Sequence, residues 1–182
     1  MKPTKEQIEA ARGARVPDVI APGLDILLCG INPGLYSGAT GHHFARPGNR
    51  LWRALHAGGL TPRLLSPFEE RELLRYGIGV TNLVERATAA ADELSDAELL
   101  EGARRLARKV ARHRPRCVVF LGLGAYRTAT GRRRAAVGPQ EPFAGAAAWL
   151  LPNPSGLNAH YQAADFARLF RELRDARDRG FA

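Results

Sequence analysis

Residues 25–60 read DILLCGINPGLYSGATGHHFARPGNRLWRALHAGGL, and this stretch decides the fold of the chain. The stretch 25–29, which is apolar from Ile26 to Cys29, predicts a strand that is buried on both faces of a mostly parallel sheet. A loop follows from Gly30 to Gly48 and holds seven Gly or Pro residues, so no regular structure is expected there. Because open α/β sheets bind ligands beyond the carboxyl ends of their strands, we expect a binding site in this loop.

The rest of the chain alternates between predicted strands and predicted helices. Further strands are expected at 78–80, 117–121 and 149–151, and helices at 5–12, 49–57, 67–75, 96–113 and 163–178. The segment 81–91 is expected to be a loop over the surface. This alternation predicts an α/β fold, a three-layer α/β/α sandwich with a central, mostly parallel sheet.

A chain of 182 residues fits a single domain. We assign residues 20–182 to that domain and residues 1–19 to a basic N-terminal extension whose helix is expected to be peripheral.

The charge of the chain favours a nucleic-acid partner. The formal net charge is +9, and residues 101–134 alone contain eleven Lys or Arg against one acidic residue, Glu101. Such a segment is expected to form a basic face that neutralises phosphates.

The two cysteines exclude several classes of metal protein. Cys29 and Cys117 each lie in an apolar run, which predicts buried thiols and a reducing, cytoplasmic setting. Two cysteines without a CxxC motif cannot supply a four-cysteine iron–sulfur cluster or zinc site. The segment GLGAYR, 122–127, lacks the third glycine of a dinucleotide fingerprint. No cofactor, metal or membrane segment is therefore expected.

Three motifs in order resemble one family. GINPG at 30–34 is followed by SGATG, a phenylalanine and RPGNRLW; GVTNLVER lies at 79–86, and LPNPSGL at 151–157. Together they resemble the mismatch-specific uracil-DNA glycosylases and their thymine-DNA glycosylase relatives. The resemblance implies a monofunctional DNA repair enzyme that hydrolyses the N-glycosidic bond of uracil, or of thymine or another damaged pyrimidine, opposite guanine in double-stranded DNA. It also implies a monomer that leaves an abasic site.

Asn32 is the candidate catalytic residue. Its amide can hydrogen-bond a water molecule but has no accessible pKa, so it can orient the water without acting as a general base. The resemblance assigns water positioning to the asparagine of GINPG, which Asn32 matches. The alternative is that asparagine before Pro-Gly is ordinary turn chemistry.

The base-binding candidates are Ile31, Ser37, Phe44 and Asn82. A flipped base needs a stacking surface and polar groups along its edge. By resemblance, Phe44 stacks on uracil, backbone amides near Ile31 hydrogen-bond the base, and Ser37 shapes the pocket near the 5 position of the base. Phe44 packing its loop onto the core remains an equal alternative. Bacterial relatives can have lysine at the place of Asn82, which leaves the substrate class open.

A third loop supplies the candidate contacts to the DNA duplex. Leu157 follows a glycine at the tip of this loop and can fill the gap that a flipped base leaves. The resemblance extends a role in DNA binding to Asn153, Ser155, Gly156 and Asn158. The alternative is an ordinary turn with Leu157 as a core anchor.

The charged loop residues are predicted to be structural or solvated. Glu85 and Arg86 are expected to form a salt-bridged pair. His42, His43 and His160 are expected to be solvated and outside the catalytic set, and no lysine lies in the three loops to form a Schiff base. Two other functions stay open, a non-catalytic basic nucleic-acid-binding domain and an α/β enzyme acting on free nucleotides.

Overall fold

The computed structural model describes residues 2–181, which form a five-stranded sheet between two layers of helices. The strands are β1 (Ile26–Gly30), β2 (Ile78–Asn82), β3 (Cys117–Leu121), β4 (Gly138–Phe143) and β5 (Ala146–Leu151). Their order is β2-β1-β3-β5-β4, with β4 antiparallel to β5 and all other neighbours parallel. The predicted mostly parallel sheet is therefore confirmed.

In the described part of the chain, six α-helices and two 3₁₀ segments surround the sheet. The helices are α1 (Lys5–Ala10), α2 (Leu35–Thr40), α3 (Leu51–Ala57), α4 (Asp96–His113), α5 (Leu123–Thr130) and α6 (Ala163–Asp178), and the 3₁₀ segments are Pro67–Tyr76 and Ala91–Glu93. Within residues 2–181, no helix combines the length and apolarity that crossing a bilayer requires.

Capping boxes set the starts of two helices, as the sequence predicts. The N–H of Gln7 donates to the Thr4 hydroxyl at the start of α1, and the N–H of Glu98 donates to the Ser95 hydroxyl at the start of α4, both at 3.2 Å. These bonds satisfy backbone donors that the first turn of a helix leaves free.

Alternating side chains of the strands divide the core into two parts. On β1, Ile26 and Leu28 face one side, where α3 and α6 cover them, and Leu27 and Cys29 face the other side, which α4 covers. All four side chains are at most 1% exposed. Because both faces of the sheet are buried under helices, the predicted three-layer sandwich is confirmed.

The structure corrects the expectations for two loops. The glycine-rich loop after β1 contains the short helix α2, which begins directly after Pro33 and Gly34. The segment after β2 is not a surface loop, since Leu83, Val84 and Thr88 are at most 4% exposed. Leu83 and Val84 pack in the core under α4, which explains why this segment is buried.

Two further elements, β4 and α5, were not predicted. Pro139 and Pro142 obscure β4 in the sequence, and both are tolerated because β4 lies at the edge of the sheet. The helix of residues 67–75 is present but is of the 3₁₀ type. Glu69 departs from helical geometry there, with φ −103° and ψ 17°.

Candidate active site

A cavity of about 530 Å³ lies beyond the carboxyl ends of β1, β2 and β5. Its walls come mainly from the loops that follow these strands. The residues predicted from the sequence that line it are Asn32, Ile31, Ser37, Phe44, Asn82, Asn153, Ser155 and Leu157. Gly156 and Asn158 do not line the cavity. The structure therefore brings the three sequence motifs together at one edge of the sheet.

Hydrogen bonds fix the orientation of the Asn32 amide. Its Nδ2 lies 2.7 Å from the Thr88 hydroxyl, 3.0 Å from the Arg86 carbonyl and 3.2 Å from the Pro33 carbonyl. Carbonyl oxygens can only accept, so the amino group must point toward them. Oδ1 is then the free atom, and no donor among residues 2–181 reaches it. The side chain thus presents a single hydrogen-bond acceptor at the cavity.

The partners of Asn32 are themselves held in place. The Thr88 hydroxyl donates its proton to the Ala90 carbonyl at 2.8 Å, so its oxygen accepts from Asn32. The Arg86 guanidinium binds both carboxylate oxygens of Glu98 at 2.6 and 3.1 Å. These bonds, together with the Ser95 N–H, lower the pKa of Glu98 to about 2. The loop after β2 is thereby tied to α4, and the acceptors around Asn32 are fixed.

Asn82, the last residue of β2, is oriented by a buried histidine. His43 Nε2 lies 2.9 Å from the Pro17 carbonyl and must therefore carry a proton. Burial lowers the pKa of His43, so the ring is neutral and its Nδ1 accepts from Asn82 Nδ2 at 3.3 Å. Asn82 Oδ1 then remains as the acceptor of that amide.

Phe44 and Asn82 meet above Gly30 at the end of β1. A Cβ atom added to Gly30 would lie 2.5 Å from Asn82 Oδ1 and 2.9 Å from Phe44 Cζ. Phe44 has a φ of +49°, a left-handed conformation that is uncommon for a non-glycine residue. The Trp52 indole N–H donates to the Phe44 carbonyl at 3.1 Å and helps to hold this conformation. The phenyl ring is thus placed in the cavity wall beside the Asn82 amide.

Ser37 and Ile31 line the cavity and also make contacts that hold neighbouring elements together. The buried Ser37 hydroxyl accepts from the Ala45 N–H at 3.1 Å, which joins α2 to the chain after Phe44. The Ile31 side chain packs against Gly122, where an added Cβ would lie 2.9 Å from Ile31 Cδ1. Gly38, the next residue, lies against Ala87 and against Ala11 at the end of α1.

The loop of residues 152–161 presents Leu157 to solvent. Leu157 is 74% exposed, so the alternative that it anchors the core is wrong. The Ser155 N–H donates to Asn153 Oδ1, and the Asn158 amide donates to the Asn153 carbonyl, both at 3.1 Å. Asn153, Ser155 and Asn158 therefore shape the loop, and Leu157 protrudes from it.

The expected salt bridge between Glu85 and Arg86 needs correction. Glu85 is ion-paired with Arg15 and Arg105, whereas Arg86 pairs with Glu98, so Glu85 and Arg86 do not form the expected pair. The physical reason is that Arg86 reaches the first turn of α4, where Glu98 lies.

The basic segment 101–134 is not one free face. Its cations Arg104, Arg105, Arg108, Lys109 and Arg116 form ion pairs with acidic residues. In addition, α4 ends at the edge of the sheet opposite the cavity, because the Gly23 N–H beside the start of β1 bonds the His113 carbonyl. At the cavity itself, exposed Arg46 makes no ion pair with any of residues 2–181.

Several residues of the site were not predicted from the sequence. His43 is 2% exposed, contrary to the expectation of a solvated loop histidine, because Glu70 accepts its backbone N–H at 2.8 Å and Pro17 accepts from its ring. Thr88 was not singled out, and no local pattern marks a threonine whose partner lies 56 residues earlier. Ile8 of α1 lines the cavity, so the N-terminal helix contributes to the site although none of its residues is buried.

The fold and the site together define an α/β protein with a largely uncharged ligand cavity at the carboxyl edge of its sheet. Residues 17–174 match the family model described as the uracil DNA glycosylase superfamily. The chain belongs to this superfamily, whose members are hydrolases acting on N-glycosyl bonds in DNA.

The fold also has a match among solved structures. It is similar to the solution NMR structure of a uracil DNA glycosylase candidate from Methanosarcina acetivorans. The TM-score is 0.60 at 20% sequence identity, and the match covers 89% of this chain and 98% of the other. At this identity the likeness supports the shared fold.

Proposed function

We propose that this protein is a monofunctional DNA glycosylase that hydrolyses the N-glycosidic bond of uracil opposite guanine in double-stranded DNA and leaves an abasic site. The observation that carries the proposal is the locked Asn32 amide, whose free Oδ1 is an acceptor at the cavity. An oriented acceptor of this kind holds a water molecule with its lone pair directed at the sugar carbon.

The chemistry of the cavity favours bond cleavage through a positively charged sugar. Among its described lining residues there is no Asp, Glu or Lys, so neither a carboxylate general base nor a lysine nucleophile is at hand. As the bond to the base breaks, the bonding electron pair leaves with the base as an anion and positive charge develops on the sugar. The water adds to the sugar and passes its proton to the departed base or to solvent. Asn32 accepts a hydrogen bond from this water but not its proton, which predicts slow chemistry.

The same cavity offers contacts for a flipped uracil. The Phe44 ring provides a stacking surface, and Asn82 Oδ1 provides an acceptor for an imide N–H such as N3–H of uracil. Since His43 accepts one of the two Asn82 Nδ2 hydrogens, the orientation of this amide is fixed and its Oδ1 is the acceptor offered to the base. Exposed Leu157 fills the place that the flipped nucleotide leaves in the duplex.

The test is base release from labelled duplexes that contain G·U, G·T or A·U pairs, and from single-stranded DNA containing uracil. We expect free uracil and an abasic strand from G·U, with no covalent protein–DNA adduct after borohydride reduction. A monomer without added cofactor is sufficient for this activity. Binding to all duplexes without release of any base would favour the non-catalytic nucleic-acid-binding domain instead.

The rates of release from the other substrates determine the preference for the base and for its partner. Release from G·U well above A·U supports recognition of the mismatch, since a weakly paired base is easier to flip. Release from G·T would extend the substrate class to thymine. Equal release from all pairs would retain the glycosylase and overturn the mismatch specificity.

A further inference from the structure

One arginine joins the two loops on either side of the cavity mouth. Arg50 is the last residue before α3, directly after the glycine-rich loop. Its backbone N–H donates to the Pro154 carbonyl at 2.9 Å. In the same region, a Cβ atom added to Gly156 would lie 2.7 Å from the Gly48 carbonyl oxygen, so the two loops are in close contact.

The Arg50 side chain extends under the loop that carries Leu157. Its Nη2 donates to the Gly156 carbonyl at 3.2 Å and to the Asn158 carbonyl at 2.9 Å, and its Nη1 donates to the Tyr161 carbonyl. The guanidinium also lies over the Phe166 ring of α6, with Cζ 5.5 Å from the ring centroid.

Backbone carbonyls replace the carboxylate that usually pairs with a part-buried arginine. Within residues 2–181, Arg50 forms no salt bridge. A planar guanidinium has several donors in fixed directions and can bind three carbonyl oxygens at once. A lysine ammonium on a flexible side chain is less suited to this arrangement.

The other side-chain hydrogen bonds of this loop are local. Leu157 N–H donates to the Ser155 hydroxyl at 3.2 Å, and His160 N–H donates to Asn158 Oδ1 at 3.1 Å. These bonds shape the loop but do not attach it to the body of the protein. Arg50 makes that attachment, and it holds the carbonyls immediately before and after Leu157.

We propose that Arg50 is the positioning residue of the wedge loop, residues 152–161, and that it presents Leu157 to the DNA duplex. Fixing the two flanking carbonyls before DNA arrives reduces the ordering cost of inserting Leu157. The inference rests on the proposed function and adds a residue that touches neither the base nor the water.

The test compares Arg50→Gln and Arg50→Lys with the matched control Arg53→Gln. Arg53 is exposed on α3, one turn away, and its side chain forms no hydrogen bond or ion pair within residues 2–181, so its replacement changes mainly the charge. Two readouts are needed, the fluorescence of 2-aminopurine placed beside the uracil in a G·U duplex, and single-turnover uracil release from duplex and single strand.

Arg50→Gln should reduce the 2-aminopurine signal and slow release from the duplex about tenfold, with release from the single strand changed less than about twofold. Arg50→Lys should restore part of the signal, and Arg53→Gln should match the wild type. In the background of Leu157→Ala, Arg50→Gln should cause no further loss, because it acts through that side chain.

Equal fluorescence in Arg50→Gln and Arg53→Gln would overturn the inference, as would full additivity with Leu157→Ala. A wild-type protein that unstacks 2-aminopurine but releases no base would overturn the proposed function alone, since fluorescence still tests Arg50. A wild-type protein that causes no unstacking in any duplex would overturn the wedge and with it the role of Arg50.

Discussion

Asn32→Asp separates water positioning from general-base catalysis, because the two mechanisms predict opposite dependence on pH. The substitution keeps the shape of the side chain but replaces Nδ2 with an oxygen. That oxygen would face the Arg86 carbonyl at 3.0 Å and the Thr88 hydroxyl at 2.7 Å. The carbonyl can only accept, so an ionised carboxylate is repelled there.

The cost can be worked out from these contacts. Leaving the Arg86 carbonyl unpaired against a carboxylate costs about 2 kcal/mol. At a pH where the new carboxyl is ionised, this repulsion disfavours the orientation that holds the water, so release should be roughly 30-fold slower. The same repulsion raises the pKa of the introduced carboxyl above the usual range of Asp. The neutral acid restores an O–H donor toward Arg86, so activity should rise as the pH falls.

The assay is single-turnover uracil release from a G·U duplex between about pH 5 and pH 8.5, a range that covers the expected titration. The wild type should show little pH dependence, since no carboxylate among the described residues lines the cavity and burial lowers the pKa of His43. An Asn32→Asp rate that instead rises with pH, to or above the wild-type rate, would show that a general base operates and refute the reasoning.

Three further predictions concern the supports of the site. Thr88→Val removes the 2.7 Å partner of the Asn32 amide and should slow release about tenfold with duplex affinity unchanged by fluorescence anisotropy; an unchanged rate would contradict the role of this bond. Gly30→Ala places a Cβ 2.5 Å from Asn82 Oδ1 and 2.9 Å from Phe44 Cζ. Base release should fall more than about tenfold, and a wild-type rate would argue against this wall as the base-binding surface. Ser95→Ala removes the N-cap of α4 and should lower the free energy of unfolding by about 1 kcal/mol in urea titration, and no loss would count against the cap.

Much of the fold follows from local patterns in the sequence. The runs 26–29 and 117–121 are apolar throughout because helices cover both faces of the sheet, and this unbroken apolar pattern is visible without a structure. Ser95 and Glu98 likewise mark the start of α4. The edge strand β4 could not be predicted, since its two prolines are acceptable only at an edge, and the position of an edge depends on tertiary structure.

The residues of the candidate site could be predicted from the sequence, but the orientations of their side chains could not. Asn32, Phe44 and Asn82 stand in recognisable motifs, and all three line the cavity. Which atom each amide presents depends on partners that are distant in the chain, Thr88 for Asn32 and His43 for Asn82. Nothing in the local sequence around either asparagine specifies these partners.

The most direct test of the account is single-turnover uracil release from a G·U duplex by the wild type and by Asn32→Ala, with duplex affinity measured in parallel. We predict release by the wild type, a rate at least about a hundredfold lower in the variant, and equal affinity for the duplex. Release that persists at the wild-type rate in Asn32→Ala would contradict the claim that this amide positions the attacking water.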